Sequence, residues 1–194
     1  MKYQIRKVSR VSKVSSVARA FLVSLVILMV LFSTTTVSAQ EGEPDSTKST
    51  YTLSYPGLLP DHPLYFLKAG RDRMMSIFIS KPLEKAEFNL LQADKRVEAS
   101  FMLSEKKENK LDLSQSTFSK AENYFEAAIN QTMAAKTQGI NTSEVSKKLK
   151  DANKKHQQIL KDITNKLKGK DKNKFAVEHG RLRDFEKRVK EVNR

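Results

Sequence analysis

Lys81-Pro82-Leu83-Glu84-Lys85-Ala86-Glu87-Phe88-Asn89-Leu90-Leu91-Gln92-Ala93-Asp94-Lys95-Arg96-Val97-Glu98 is the stretch whose period decides the fold. Leu83, Ala86, Leu90, Ala93 and Val97 recur at three-, four- and seven-residue steps. They lie opposite Glu84, Lys85, Asp94, Lys95 and Glu98, as on a helix with one buried face. Pro82 lacks an amide proton and fits a first helical turn, with Ser80 as the expected cap. The helix is expected to fray around Glu105 to Lys110.

Working outward, the same period continues in both directions. Upstream, Leu64, Leu67, Met74 and Phe78 predict a first helix to about Ile79, with Asp61 as its N-cap ahead of Pro63. Downstream, the Leu111-Asp112-Leu113-Ser114 segment offers a cap for a third helix. Its inward residues are Phe118, Ala121, Phe125, Ala128, Ile129 and Met133, and Gly139 stops it. Asn141 with Glu144 three positions later reads as a capping box for a fourth helix, which carries Val145, Leu149, Ala152, Ile159, Ile163 and Leu167 inward to Gly169. A last helix from about Asp171 presents Phe175, Leu182, Phe185, Val189 and Val192. No stretch alternates with period two for long enough to make a strand. The expected fold is all-α, an antiparallel bundle of about five amphipathic helices over residues 56–194, with residues 56–110 a hairpin and residues 113–194 the further helices.

The chain ahead of this region differs in kind. Met1 to Arg19 holds six cations and no acid, Ala20 to Phe32 is uncharged and greasy, and Val37-Ser38-Ala39 closes with small residues. This order describes a signal peptide cut after Ala39. The rival is an uncleaved anchor of about 20 residues, enough to span a membrane at ~1.5 Å per residue. Either way the cations stay inside and Gln40 onward leaves the cytoplasm. Residues 40–55, rich in Ser, Thr, Glu and Pro, read as a solvated tether.

The 194 residues are 39% apolar and 30% charged, a balance that suits long solvated helices, and they include no Cys and no Trp. Disulfides, thiolate metal sites and cysteine nucleophiles are thereby excluded. His62, His156 and His179 fall in separate elements, and no two have the i, i+4 spacing of a helical metal pair. His156 lies on an apolar stripe and reads as a packed side chain. Neither a nucleophile elbow nor a Gly-rich phosphate loop is present. The expectation is a protein that is not an enzyme, with no catalytic residue, metal or cofactor.

The run Leu58-Leu59-Pro60-Asp61-His62-Pro63-Leu64-Tyr65-Phe66-Leu67-Lys68, followed by Lys81-Pro82-Leu83-Glu84-Lys85-Ala86-Glu87 and Leu91-Gln92-Ala93-Asp94-Lys95-Arg96-Val97-Glu98-Ala99, resembles an uncharacterised bacterial family. That family, domain of unknown function 5667, has a Leu-Pro-x-x-Pro-Leu-Tyr-x-Leu-Lys opener and a Pro-x-x-Lys-Ala-Glu restart. Its structural signature falls here on Leu59, Pro60, Asp61, Pro63, Leu64, Tyr65, Leu67 and Pro82, over about Pro56 to Ser100. Where members often carry Asp before the restart proline, this chain has Lys81. The resemblance implies helices and an extracytoplasmic location, and supplies no activity.

Two surfaces invite a functional reading. Residues 40–143 carry 13 Lys and Arg against 14 Asp and Glu, whereas residues 144–194 carry 17 against 8, so the positive charge gathers in the last two helices. Lys147, Lys148, Lys150, Lys154, Lys155, Lys161, Lys166, Lys168 and Lys170 are the candidate anion contacts. The expected partner is an anionic envelope component or another envelope protein. Nucleic acid is a weaker choice, since no aromatic interrupts the cluster to stack on bases. The alternative is a helical envelope chaperone that holds clients on the first helix, where Phe66, Met74, Met75, Ile77, Phe78 and Ile79 crowd more than one face. A first helix covered on both sides by the others would account for the same residues without a partner.

Overall fold

A computed structural model describes residues 51–106 and 110–193. The leader over residues 1–39, residues 40–50 of the tether and part of the fraying segment at 105–110 lie outside these. The described residues form helices α1 (Tyr65–Phe78), α2 (Pro82–Ser104), α3 (Leu111–Thr137), α4 (Ser143–Asn165), a single turn α5 (Lys170–Asn173) and α6 (Ala176–Val192), with no strand among them. None of these helices is long and apolar enough to cross a membrane.

The helices pack as two antiparallel hairpins, α2–α3 and α4–α6, laid side by side. Across the hairpins neighbours run parallel, because α2 meets α4 at Glu87–Lys148, Asp94–His156 and Glu105–Lys166, and each pair is 61 or 62 residues apart. A similar offset joins α3 to α6, where Arg181 reaches the Ser119 carbonyl and Arg188 pairs with Glu126, and Asp112 pairs with Lys174 just ahead of α6. The order around the bundle is therefore α2, α3, α6, α4, and the α3–α4 connection crosses it.

The stripes expected from the sequence supply the core. Ala86, Leu90, Ala93, Val97, Phe118, Phe125, Ile129, Leu149, Ile163, Phe175, Leu182 and Phe185 are all buried. Phe125 touches the rings of both His156 and Phe185, at centroid distances of 5.1 and 5.5 Å. Met133 is the exception on α3, being exposed rather than inward. Fully buried small residues repeat every seven positions, as Ala86, Ala93 and Ser100 on α2 and as Ser114, Ala121, Ala128 and Ala135 on α3. The absence of large side chains there lets the two backbones come close. The Ser100 and Ser114 hydroxyls sit 3.0 Å apart, and each is 2.8 Å from the other helix's carbonyl.

The helix starts differ from expectation. Asp61 caps nothing: α1 opens at Tyr65 with Leu64 at the cap position, and Asp61 instead pairs with Lys106 at 2.9 Å. That bond holds its carboxyl below the usual range. Lys81, not Ser80, precedes α2, and Pro82 takes the first position. Ser114 lies within α3 and serves the helix contact instead of a cap. For α4 the cap position is Thr142. Asn141 still accepts the Ser143 amide at 3.0 Å, but Glu144 pairs forward with Lys148 instead of closing a capping box. Gly139 behaves as read: at φ +74° it ends α3, the Ile140 amide reaches the Ala135 carbonyl, and the Gly139 amide reaches that of Lys136. α4 ends at Asn165, before Gly169, and the last helix starts at Ala176 after the α5 turn.

α1 makes no extensive contact with any other helix. Tyr65, Lys68, Ala69, Asp72 and Ser76 form its shielded side, whereas Leu64, Leu67, Met74 and Phe78, the expected buried face, are exposed. What fixes α1 is polar. The Lys68 ammonium donates to the carbonyls of Pro56 and Leu58, so the lysine that closes the opener ties the loop preceding α1 to its first turns.

Candidate functional site

α4 does not present its lysines as one face. Lys148 is engaged by Glu87 and Glu144, and Lys166 by Glu105 while lying over the Phe101 ring. Lys155 is half-buried, Lys168 lies in the loop beyond the helix, and Lys170 opens α5. Lys147, Lys150, Lys154 and Lys161 remain, at three-, four- and seven-residue steps along one exposed stripe.

This stripe borders a groove between α4 and α6. Two open depressions follow one another along it, of about 270 and 680 Å³, and they share Lys154 and Gln157. Lys150, Lys154 and Lys161 line it from α4, and Arg183, Lys190 and His179 from α6. Among the described residues no carboxylate lies within ion-pair distance of Lys150, Lys154, Lys161 or Arg183. The groove's own acid, Glu186, is taken by Lys190 at 2.8 Å. Its carboxyl is held low, first by that hydrogen bond and then by the Lys190 charge. Burial and the nearby Arg183 charge lower the His179 pKa, so the imidazole resists adding a further positive charge. Arg183, Lys190 and His179 were not among the sequence candidates, because only the α4–α6 register brings them beside the lysine stripe. The signal was limited to the basic count of the last helix.

The second polar feature is internal. Asp94, buried on α2, accepts the Tyr51 hydroxyl at 2.5 Å and lies 2.8 Å from His156 Nε2. His156 is buried as its stripe position indicated. Burial, then the Asp94 charge, drives the Tyr51 pKa upward, so the phenol remains a donor. Tyr51 and Leu53, in the stretch read as tether, thus pack against the core. A third polar cluster joins α3 to α6. Glu122 has Arg181 Nη1 at 3.2 Å from Oε2 as an ion pair, without hydrogen-bond geometry, and Glu178 accepts from Gln115 at 2.5 Å. Among the described residues no group of three or more His, Asp or Glu is arranged to hold a metal ion.

A family model described as a domain of unknown function, DUF5667, matches residues 57–170. The chain belongs to this family. The match runs well past the Pro56–Ser100 stretch that carried the resemblance, so α3 and α4 with the lysine stripe are part of the DUF5667 unit, and α6 completes the groove from outside it. Within this unit Lys68 of the DUF5667 opener has the anchoring role described above. No curated protein and no solved structure matches the chain.

Proposed function

We propose that this DUF5667 protein works outside the cytoplasm as a non-enzymatic interaction protein whose α4–α6 groove binds a phosphate-bearing polyanion. One observation carries the reading. Lys150, Lys154, Lys161 and Arg183 line one groove with no carboxylate at ion-pair distance, whereas Glu87 and Glu105 take up Lys148 and Lys166, Asp184 takes up Lys187, and the groove's one acid, Glu186, takes up Lys190. Cations left in a row hold a local positive potential that an extended anion neutralises along its length. The cationic, greasy leader supports the extracytoplasmic setting.

Titration of the full chain with long-chain inorganic polyphosphate tests this. Affinity is expected to fall steeply with salt, and the combined Lys150→Glu, Lys154→Glu, Lys161→Glu variant to bind at least tenfold less tightly, on the order of 1.4 kcal/mol, with a shallower salt slope. The combined Lys148→Glu, Lys166→Glu, Lys187→Glu variant, which changes the same charge at lysines outside the groove, serves as the charge-matched control and is expected to lose less. Equal losses in the two variants, or binding insensitive to salt, would remove the groove from the account.

A further inference from the structure

The exposed face of α1 has no counterpart in the bundle. Phe66, Leu67, Met74, Met75, Ile77 and Phe78 are all at least 48% exposed, on a helix of 14 residues. At 100° per residue they spread over about half the circumference. The polarity of α1 is also inverted, since its shielded side includes the Asp72 carboxylate while Phe66 and Phe78 face out.

We propose that this face lies in the interface of an anionic lipid bilayer, with the axis of α1 along the membrane plane. Three observations select lipid over another protein. First, the arc is wider than the single stripe of about 100° that one partner helix covers, and a fluid surface accommodates such an arc. Second, Arg71 and Arg73 are exposed on the same helix, and the only carboxylate between Tyr65 and Lys81 is Asp72, which is buried and 2.8 Å from Arg71. The helix therefore brings cations and no free acid to the headgroup level. Third, the described chain begins at Tyr51, twelve residues after Ala39, where the apolar run of the leader closes. At ~3.4 Å per residue those twelve span at most about 40 Å, so an anchored leader would leave Tyr51 within that reach of the bilayer, and after cleavage α1 itself retains the contact. This contact is independent of the α4–α6 groove.

The chain contains no Trp, so a single introduced Trp reports on one place only. Full-length Phe66→Trp, Phe78→Trp and, in the groove, Gln158→Trp variants would be mixed with phosphatidylglycerol–phosphatidylcholine vesicles carrying plain or brominated acyl chains. The expected result is a blue shift at positions 66 and 78, with loss of most of their emission to brominated lipid, and neither change at 158. Emission at 66 and 78 that stays solvent-like overturns the proposal. Quenching at 158 alone also overturns it, while leaving the groove reading in place. A blue shift already present without vesicles that grows with protein concentration assigns the face to a second copy and overturns it as well.

Discussion

Burial withholds water from the Glu122 carboxylate, which is 1% exposed and lacks a hydrogen-bond donor of good geometry. Desolvation therefore dominates. It raises the pKa from the ordinary 4.5 to about 8 against the pull of Arg181, and the Glu178 and Glu126 charges add to the rise. The folded state holds a proton at neutral pH that the unfolded chain releases above about 4.5. Because the native state binds more protons in that window, stability falls as pH rises from about 4.5 to about 8 and levels off above, at up to ~1.4 kcal/mol per pH unit from this group. Glu122→Gln mimics the protonated side chain. Urea unfolding measured between pH 5 and 8.5 is expected to show a steeper decline for the natural protein than for the variant, and the curves converge toward the acid end. Parallel curves would show that Glu122 is ionised in the fold. Nothing in the sequence marked this residue. Glu122 sits beside Ala121 at the edge of the apolar stripe, and only the approach of α6, with Glu178 and Arg181, encloses it.

Between α2 and α3 the seven-residue repeat of fully buried Ala and Ser is a geometric commitment, since a larger side chain there has no free space to enter, and at Ser100 and Ser114 each hydroxyl already reaches the opposing backbone carbonyl. Enlarging a residue in that seam forces the helices apart along their length. Ala93→Leu adds apolar surface, yet it is expected to lower stability by about 1–3 kcal/mol in urea unfolding. Tolerance of the larger side chain would mean that the two helices are not held close at that level. The period of these helices was legible in the sequence because burial of one face repeats with the helix itself, and Val97, Phe125, Leu149 and Leu182 all lie where their spacing puts them. The caps were less legible. Asp61, Ser80 and Ser114 have the right chemistry for capping, but a cap depends on the backbone angles at one junction, and tertiary partners claimed Asp61 and Ser114 instead. α1 misled for a different reason: periodicity states that a face is apolar, not that the chain itself covers it.

At the scale of the whole molecule, what needs explaining is how two hairpins find a parallel register. The ring order α2, α3, α6, α4 was not legible, because five amphipathic stripes of similar width satisfy several arrangements equally well. Discrimination falls to contacts that one register alone makes. Along the α2–α4 seam the outer pairs Glu87–Lys148 and Glu105–Lys166 are solvent-exposed, with side chains about half accessible, and pairs of that kind contribute little. Asp94–His156 lies between them and is different in kind, since its side chains are 5% and 1% accessible and a slip by one residue would leave His156 buried without its hydrogen-bond partner and Asp94 with the Tyr51 hydroxyl alone. The seam should therefore draw its register from the middle and very little from its ends. Double-mutant cycles test this by unfolding the single and double Ala variants of each pair. Asp94 with His156 is expected to couple by roughly 1.5–3 kcal/mol, and each exposed pair by less than about 0.5 kcal/mol. Tyr51→Phe removes the second donor to Asp94 and is expected to cost about 1 kcal/mol, because the segment ahead of α1 packs on the same carboxylate. Coupling spread evenly over the three pairs would mean that the hairpins are aligned by distributed charge, and the central aspartate would then be an ordinary buried group without a registering role.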